Sequence, residues 1–297
     1  MPAYPNIIPQ SEIGIPFFPD VFVFDRNFSN PRTLSTSLAV EHEVVQDVAV
    51  LVQYNYSRGD RITRFLNRND PLLGSPWSSG LAPGGINGIG TLTTVSSNAR
   101  SRYDGLTVGL TKRLSHNFQF QGNYTMSWDK SDDDNERDPF SFRYVRITDL
   151  DAEYGYSDRD QRHRFNSFLL WEAPGQVNVN LRYSYRSAQP LSLNAAGGVS
   201  QSPFGSTSDR IRADGSIVQR NTGRKDNTYS ALDLRLSREF GLNGRFSIEP
   251  ILEVFNLLNS TNLLVPQTTN LIFNFDGTVR AGLGDPRQMQ IGARLVW

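Results

Sequence analysis

The chain contains no cysteine, which excludes disulfide scaffolds, zinc–thiolate centres and thiol nucleophiles. It has no excess of charge either. Thirty Lys and Arg balance thirty Asp and Glu, for a formal net charge of zero, and this argues against a dedicated nucleic-acid binder. Long hydrophobic runs are missing too: the best is Val48-Ala49-Val50-Leu51-Val52, far short of the roughly 18 residues that a membrane helix requires. Mean hydropathy is −0.43, a value typical of soluble proteins. A membrane barrel would read the same way, because half of every strand faces a polar lumen. No stretch of useful length carries the 3.6-residue period of an amphipathic helix. Met1-Pro2-Ala3-Tyr4-Pro5 lacks the basic start and apolar segment of a secretion signal. Pro2, Pro5, Pro9, Pro16 and Pro19 make residues 1–31 read mostly as loop.

What the chain does have is a period of two. It is plainest in the last nine residues, where Met289, Ile291, Ala293, Leu295 and Trp297 share one face and Gln290, Gly292 and Arg294 the other. A soluble protein gains little from ending on an exposed Trp, since termini fray. A strand sealed into a membrane barrel has a reason to end on an aromatic at the lipid–water boundary. The same alternation predicts eight earlier strands, carried by Leu34–Val40, Val48–Tyr56, Leu106–Leu114, Phe118–Trp128, Phe165–Trp171, Val177–Tyr185, Leu232–Leu236 and Phe246–Val254. The fifth is weaker, because Phe168 and Leu170 break the pattern. Residues 17–24 include Val21-Phe22-Val23-Phe24, a candidate tenth strand.

Four connections are tight, around 43–47, 115–117, 174–175 and 241–244, and four are long, near 59–101, 129–161, 188–228 and 257–287. Each long one holds roughly 30 to 43 residues, against a usual median of about 4–6. Short and long alternate strictly. A sandwich has no cause to gather every long loop at one end, whereas a bacterial outer-membrane barrel has short periplasmic turns and long extracellular loops. The fold expected is therefore all-β, an antiparallel transmembrane β-barrel portion of nine or ten strands, with Met289→Trp297 running toward the periplasm. The inward face then carries Glu41, Arg113, Arg182, Asp233, Arg235, Glu249, Glu253 and Arg294, which suits a hydrated or plugged lumen and would be costly in a closed soluble core. With nine strands the first and last run the same way, so an antiparallel seam cannot form between them. Unpaired edges are not tolerated in lipid, so residues 1–297 are expected to be the C-terminal part of one barrel domain.

A family resemblance rests on ordered motifs. They are Tyr103-Asp104-Gly105-Leu106 with Leu110-Thr111-Lys112-Arg113-Leu114-Ser115; Tyr124-Thr125-Met126-Ser127-Trp128; Glu153-Tyr154-Gly155 with Ser157-Asp158-Arg159-Asp160-Gln161-Arg162-His163-Arg164-Phe165; and Ser187-Ala188-Gln189-Pro190-Leu191. Then follow Leu232-Asp233-Leu234-Arg235-Leu236-Ser237, Glu253-Val254-Phe255-Asn256-Leu257-Leu258-Asn259 and Asp285-Pro286-Arg287-Gln288-Met289-Gln290. Over roughly residues 18–297 the chain resembles the C-terminal half of a TonB-dependent outer-membrane transporter of the Oar-like group. The family more often ends in Phe than in Trp. The resemblance implies residence in the bacterial outer membrane and energy-coupled solute uptake by a parent protein. Its partners would be outer-membrane lipid, the outer-membrane assembly machinery, an unidentified solute, and the TonB system through a plug that this chain lacks. It also implies that Met289, Ile291, Ala293, Leu295 and Trp297 form the assembly signal.

No cofactor, catalytic or metal constellation is readable. His42, His116 and His163 lie far apart in the chain, at or beside turns and at a strand entry. The acidic run Asp129, Asp132, Asp133, Asp134, Glu136 and Asp138 has the oxygens of a calcium site but no EF-hand glycine, and reads better as a solvated loop. Residues 84–90 are glycine-rich but lack the Lys-Ser/Thr ending of a phosphate loop. Asp158, Arg159, Asp160, Arg162 and Arg164 are candidate loop or rim contacts, expected mainly to pin a loop to the barrel rim and secondarily to meet solute or plug. Two other functions fit the same pattern less well: a surface-adhesion or secretion-related barrel that binds through its loops, and a soluble sandwich such as a carbohydrate-binding module.

Overall fold

The computed structural model describes residues 20–68, 92–133, 144–193, 210–212, 214–225, 227–244, 246–262 and 285–297. Its elements are β1 (Val21–Phe24), β2 (Arg32–Val45), β3 (Val48–Asn67), β4 (Leu92–Ser115), β5 (Phe118–Ser131), β6 (Gly155–Tyr156) and β7 (His163–Ala173). They continue with β8 (Val177–Arg186), β9 (Pro190–Leu191), β10 (Gly223–Arg224), β11 (Tyr229–Arg238), β12 (Phe240–Asn243), β13 (Phe246–Phe255) and β14 (Gln288–Val296). A 3-10 turn covers Leu150–Glu153.

The nine long strands pair as an antiparallel meander, β2-β3-β4-β5-β7-β8-β11-β13-β14. These are the nine that the alternation predicts. Register preserves the two faces from strand to strand. On one face Val40 sits opposite Val52, Val52 opposite Val108, Val108 opposite Tyr124 and Tyr124 opposite Phe165. Farther on, Leu169, Leu181, Leu234, Val254 and Met289 continue it. Because the pleat has a period of two, one slip of register would throw this whole set onto the polar side. Leu38, Val40, Val52, Val108, Ile291 and Leu295 are all exposed. Among the described residues the buried apolar side chains are few: Leu66, Val95, Ala99, Pro190, Ile211, Ala231 and Val254. A single sheet greasy on its outside needs lipid as its solvent, and a sandwich is ruled out.

The tight turns follow from backbone chemistry. His116 and Asn117 both have positive φ (51° and 64°) between the paired residues Ser115 and Phe118, the two-residue geometry that matches strand twist. Gly175 (φ 83°) and Gln176 (φ 62°) serve β7–β8. Strand pairing continues into the expected turn at 241–244, because β12 prolongs β11 along β13 as far as Asn243, opposite Phe246. The break between β11 and β12 lies across from Glu249 and Pro250, and Pro250 has no N–H to give the ladder. Lys112, on the apolar face, turns its ammonium back to the Ser115 carbonyl (2.9 Å) and Phe118 carbonyl (3.2 Å), so the charge leaves the lipid while the stem stays in it.

Three expectations are corrected. Residues 59–101 are not all connection, since β3 runs on to Asn67 and β4 begins at Leu92. Register shifts between Gly59 and Ile62 and between Ile62 and Arg64, with Arg61 at φ 59°, break the alternation by which strands are recognised. The connections 129–161 and 188–228 hold ordered structure of their own, in β6, β9, β10 and the 3-10 turn. Val21–Phe24 is a strand but not a tenth wall strand: it pairs in parallel with Leu92–Val95, on the outward extension of β4. Among the described residues β2 and β14 are the sheet's edges and do not pair with each other.

Replacing Leu181 or Leu234 with Arg puts a charge at mid-height on the apolar face and is expected to cost about 2–4 kcal/mol. Arg in place of Asn166, on the polar face, should cost much less. Urea unfolding in lipid measures both, and equal costs would mean that the faces are misassigned.

Candidate functional site: the polar wall and the outer layer

The polar face forms a wall of paired charges. Arg182 stands opposite Asp233, Arg235 opposite Glu253, and Arg294 opposite Glu249. Arg235 Nη1 donates to Glu253 Oε1 at 3.2 Å, Gln290 donates to the other oxygen of Glu253, and Arg294 lies 2.8 Å from Glu249. Thr107 and Thr125 share a hydrogen bond of 2.8 Å across β4 and β5. A Cβ at Gly109 on this face would lie 2.7 Å from Asn123 Oδ1 and 3.3 Å from Leu51 Cβ, so a larger residue there would turn the Asn123 amide aside. Above the wall, Asn256 (φ 49°) closes the last connection: its amide donates to the carbonyls of Ser260 (3.0 Å) and Asp285 (3.1 Å), while its backbone N–H donates to Asp233 (2.9 Å). That gives the Phe255-Asn256-Leu257-Leu258-Asn259 motif a structural task. Beside it lies a cavity of 350 Å³ lined by Tyr229, Asp233, Asn256, Asn262 and Asp285, among others.

The outer layer is built on charge rather than grease. Arg210 and Glu153, both buried, form an ion pair linking the 3-10 turn to the segment before β10. The Arg220 guanidinium donates to the Ser131 carbonyl at the end of β5. Arg64, fully buried at the outer end of β3, lies 2.7 Å from Asp132 and has the Tyr144 ring 5.3 Å from its carbon. Tyr144 donates to Asp133 at 2.6 Å. Burial, and next the Asp133 carboxylate, hold its phenol well above the ordinary value. A cavity of 320 Å³ opens between Arg64, Arg100, Asp132 and residues 147–151.

The predicted rim residues divide. Asp160 is buried and central: it accepts from Arg224 (2.8 Å) and from the Asp129 backbone N–H (3.0 Å), with Arg162 at 3.6 Å. Asp158 accepts from Asn221 at 2.8 Å, and Arg159 lies 3.5 Å from Asp129. Arg162 stacks between Trp128 (5.1 Å) and Tyr156 (4.8 Å). Arg164 is not in this hub; it stands on the polar face opposite Thr125 and Arg186. Asp132 and Asp133 face protein donors, while Asp134, Glu136 and Asp138 lie outside the described residues, as does the glycine stretch 84–90. Among the described residues no three metal-ligating side chains gather. His163 meets the Tyr124 hydroxyl (2.7 Å), His42 is in β2 and His116 in a turn. Sequence reasoning missed Arg64, Glu153 and Arg210, whose partners lie far away in the chain.

An amphipathic antiparallel meander, polar-walled on one side and lipid-facing on the other, with all long connections at one end, is the wall of a bacterial outer-membrane barrel. The chain belongs to the outer membrane beta barrel domain family, whose model matches residues 2–210. It is similar in fold to the outer membrane transporter YddB from Escherichia coli, with a TM-score of 0.56, 11% identity, and coverage of 94% of this chain and 34% of that one. It is also similar to the ferric-catecholate import receptor Fiu from K12 E. coli, with a TM-score of 0.52, 13% identity, and coverage of 91% and 28%. The chain thus spans about a third or less of the length of these two structures. No curated protein matches it in sequence.

Replacing Glu153 with Ala strands the buried Arg210 guanidinium. The local cost is expected to be about 3–5 kcal/mol. Limited proteolysis should then cut within 144–156 or 210–225 at protease concentrations that leave the parent protein intact, while the sheet's own unfolding midpoint stays put.

Proposed function

We propose that this chain is part of the barrel wall of a TonB-dependent transporter of the Oar-like group, and that its edges β2 and β14 pair with strands supplied by the rest of that protein. The observation that carries the reading is the fold likeness over 91% and 94% of this chain to two transport barrels about three times its length. In this reading a solute binds in the outer layer, a plug supplied by the parent moves under energy delivered through TonB, and the solute crosses along the polar wall. No covalent bond changes. The paired charges of the wall offer hydrogen bonds without a strong field of one sign, which suits passage of a polar solute. Arg164 is the rim residue placed to meet plug or solute, whereas Asp158, Arg159, Asp160 and Arg162 hold the layer together.

The test is genetic. A plug and a TonB-contacting segment are expected in the same gene, and solute uptake should be lost when the TonB system is inactivated. Uptake that persists without TonB, alongside loop-dependent attachment to a partner surface, would instead mark an adhesion or secretion barrel.

The terminal face of Met289, Ile291, Ala293, Leu295 and Trp297 is the proposed assembly signal. Deleting residues 295–297 from the whole protein should abolish outer-membrane insertion, read by surface labelling. Normal surface levels would refute the signal and leave the transport reading standing.

A further inference from the structure

The polar wall is divided into sectors. On the inward face no side chain is charged on β2 from Thr33 to Ala39, on β3 from Ala49 to Ser57, on β4 from Ser101 to Thr111 or on β5 from Gln119 to Ser127. The facing charges Arg182 and Asp233, Arg235 and Glu253, and Arg294 and Glu249 stand on β8, β11, β13 and β14 instead. The uncharged sector is built from hydroxyls and amides in ladder register. Ser35, Ser57 and Tyr103 form one row across β2, β3 and β4, and Ser37, Asn55, Gly105 and Ser127 form the next row toward the periplasm. Ser35 and Ser57 share a hydrogen bond of 3.2 Å, and Gln53 donates to Asn55 at 3.1 Å. Asp129 ends the upper row on β5, with Arg159 3.5 Å away.

Gly105 makes room for the ring of Tyr103. A Cβ at 105 would lie 2.5 Å from the Tyr103 hydroxyl and 2.8 Å from two of its ring carbons, so the ring lies along the wall over the glycine. A shallow cavity of 330 Å³ opens beside it, lined by Ser35, Ser37, Asn55, Ser57 and Tyr103, among others. It sits at the outer mouth of the lumen, because the neighbouring row of Tyr56, Asp104 and Trp128 carries on its other side the rings expected at the lipid boundary. A charged solute here would lose water without meeting a counter-charge. Hydroxyls and amides each donate and accept, and the aromatic ring adds an apolar plate. The cavity therefore matches a ring that is apolar on its C–H face and hydroxylated around its edge. We propose that Ser35, Ser37, Asn55, Ser57 and Tyr103 form a subsite for a neutral sugar unit, and that the transported solute is a neutral oligosaccharide. This rests on the transport reading and names the class of its solute.

The whole protein in mild detergent is tested against an array of neutral glucan, xylan, mannan and galactan oligosaccharides, with oligogalacturonate and a ferric tricatecholate as anionic comparisons. At least one neutral oligosaccharide should bind, and titration calorimetry then gives its affinity. Y103A should weaken that binding by about 10-fold, through loss of the ring contact and a hydrogen bond. Y103F keeps the ring and should lose less. G105A, which pushes the ring off the wall, should weaken binding as Y103A does. G122A makes the same kind of change on the lipid-facing side, where the added Cβ meets the Phe120 ring, and should bind as the unaltered protein does. Binding of the anionic probes alone, or of no neutral oligosaccharide, would overturn the proposal, as would equal affinity of Y103A and the unaltered protein. In that event, TonB-dependent uptake of a different solute would leave the transport reading standing.

Discussion

The rest of the structure depends on one constraint, the satisfaction of backbone N–H and C=O groups where no water is available. In a hydrocarbon layer only helices and closed barrels meet it, and this chain has no helix long and apolar enough to cross among its described residues. The continuous ladder from β2 through β14 carries that burden. Because strand neighbours must be in register to share it, most apolar side chains of the nine strands fall on one face and most charges on the other. Amphipathicity, orientation and the sorting of loops by length all follow from the ladder.

Outside the lipid the constraint relaxes and a different one takes over. The extensions of β3 and β4, and the segments around β6, β9 and β10, are held by Arg64–Asp132, Arg210–Glu153 and Asp160 with Arg224. Buried ion pairs add little to net stability compared with apolar packing, but breaking one is costly. Polar side chains of this layer line one cavity, beside Arg64 and Asp132, and a second lies beside Asn256. The layer also frees the outer strand ends from strict alternation, so bulges such as that at Arg61 are tolerated there.

The apolar face has its own ends to manage. At the periplasmic end Lys112 folds its charge onto backbone carbonyls. At the outer end Arg58 pairs with Asp60, Arg102 with Asp104, and Lys130 lies over the Tyr156 ring. The two ends solve the same desolvation problem differently, one by hydrogen bonds to backbone carbonyls and the other by ion pairs with carboxylates on the same strand.

The strands inside the membrane could be read from the amino-acid order alone, because lipid on one side and a hydrated lumen on the other impose a period of two at every residue. The inward position of Asp233, Arg235, Glu249, Glu253 and Arg294 follows from parity in the same way. Where both faces meet protein or water, no period is imposed, and the sequence is silent about the outer thirds of β3 and β4. Parity also cannot tell which charge meets which. That Arg64 is buried against Asp132, that Glu153 and Arg210 are partners, and that Asp160 is a hub while Arg164 stands apart depend on contacts between residues tens of positions apart. The short strand Val21–Phe24 makes the point most simply: its apolar run makes it a candidate wall strand, yet it pairs in parallel with the outward extension of β4, a partner that no local pattern announces.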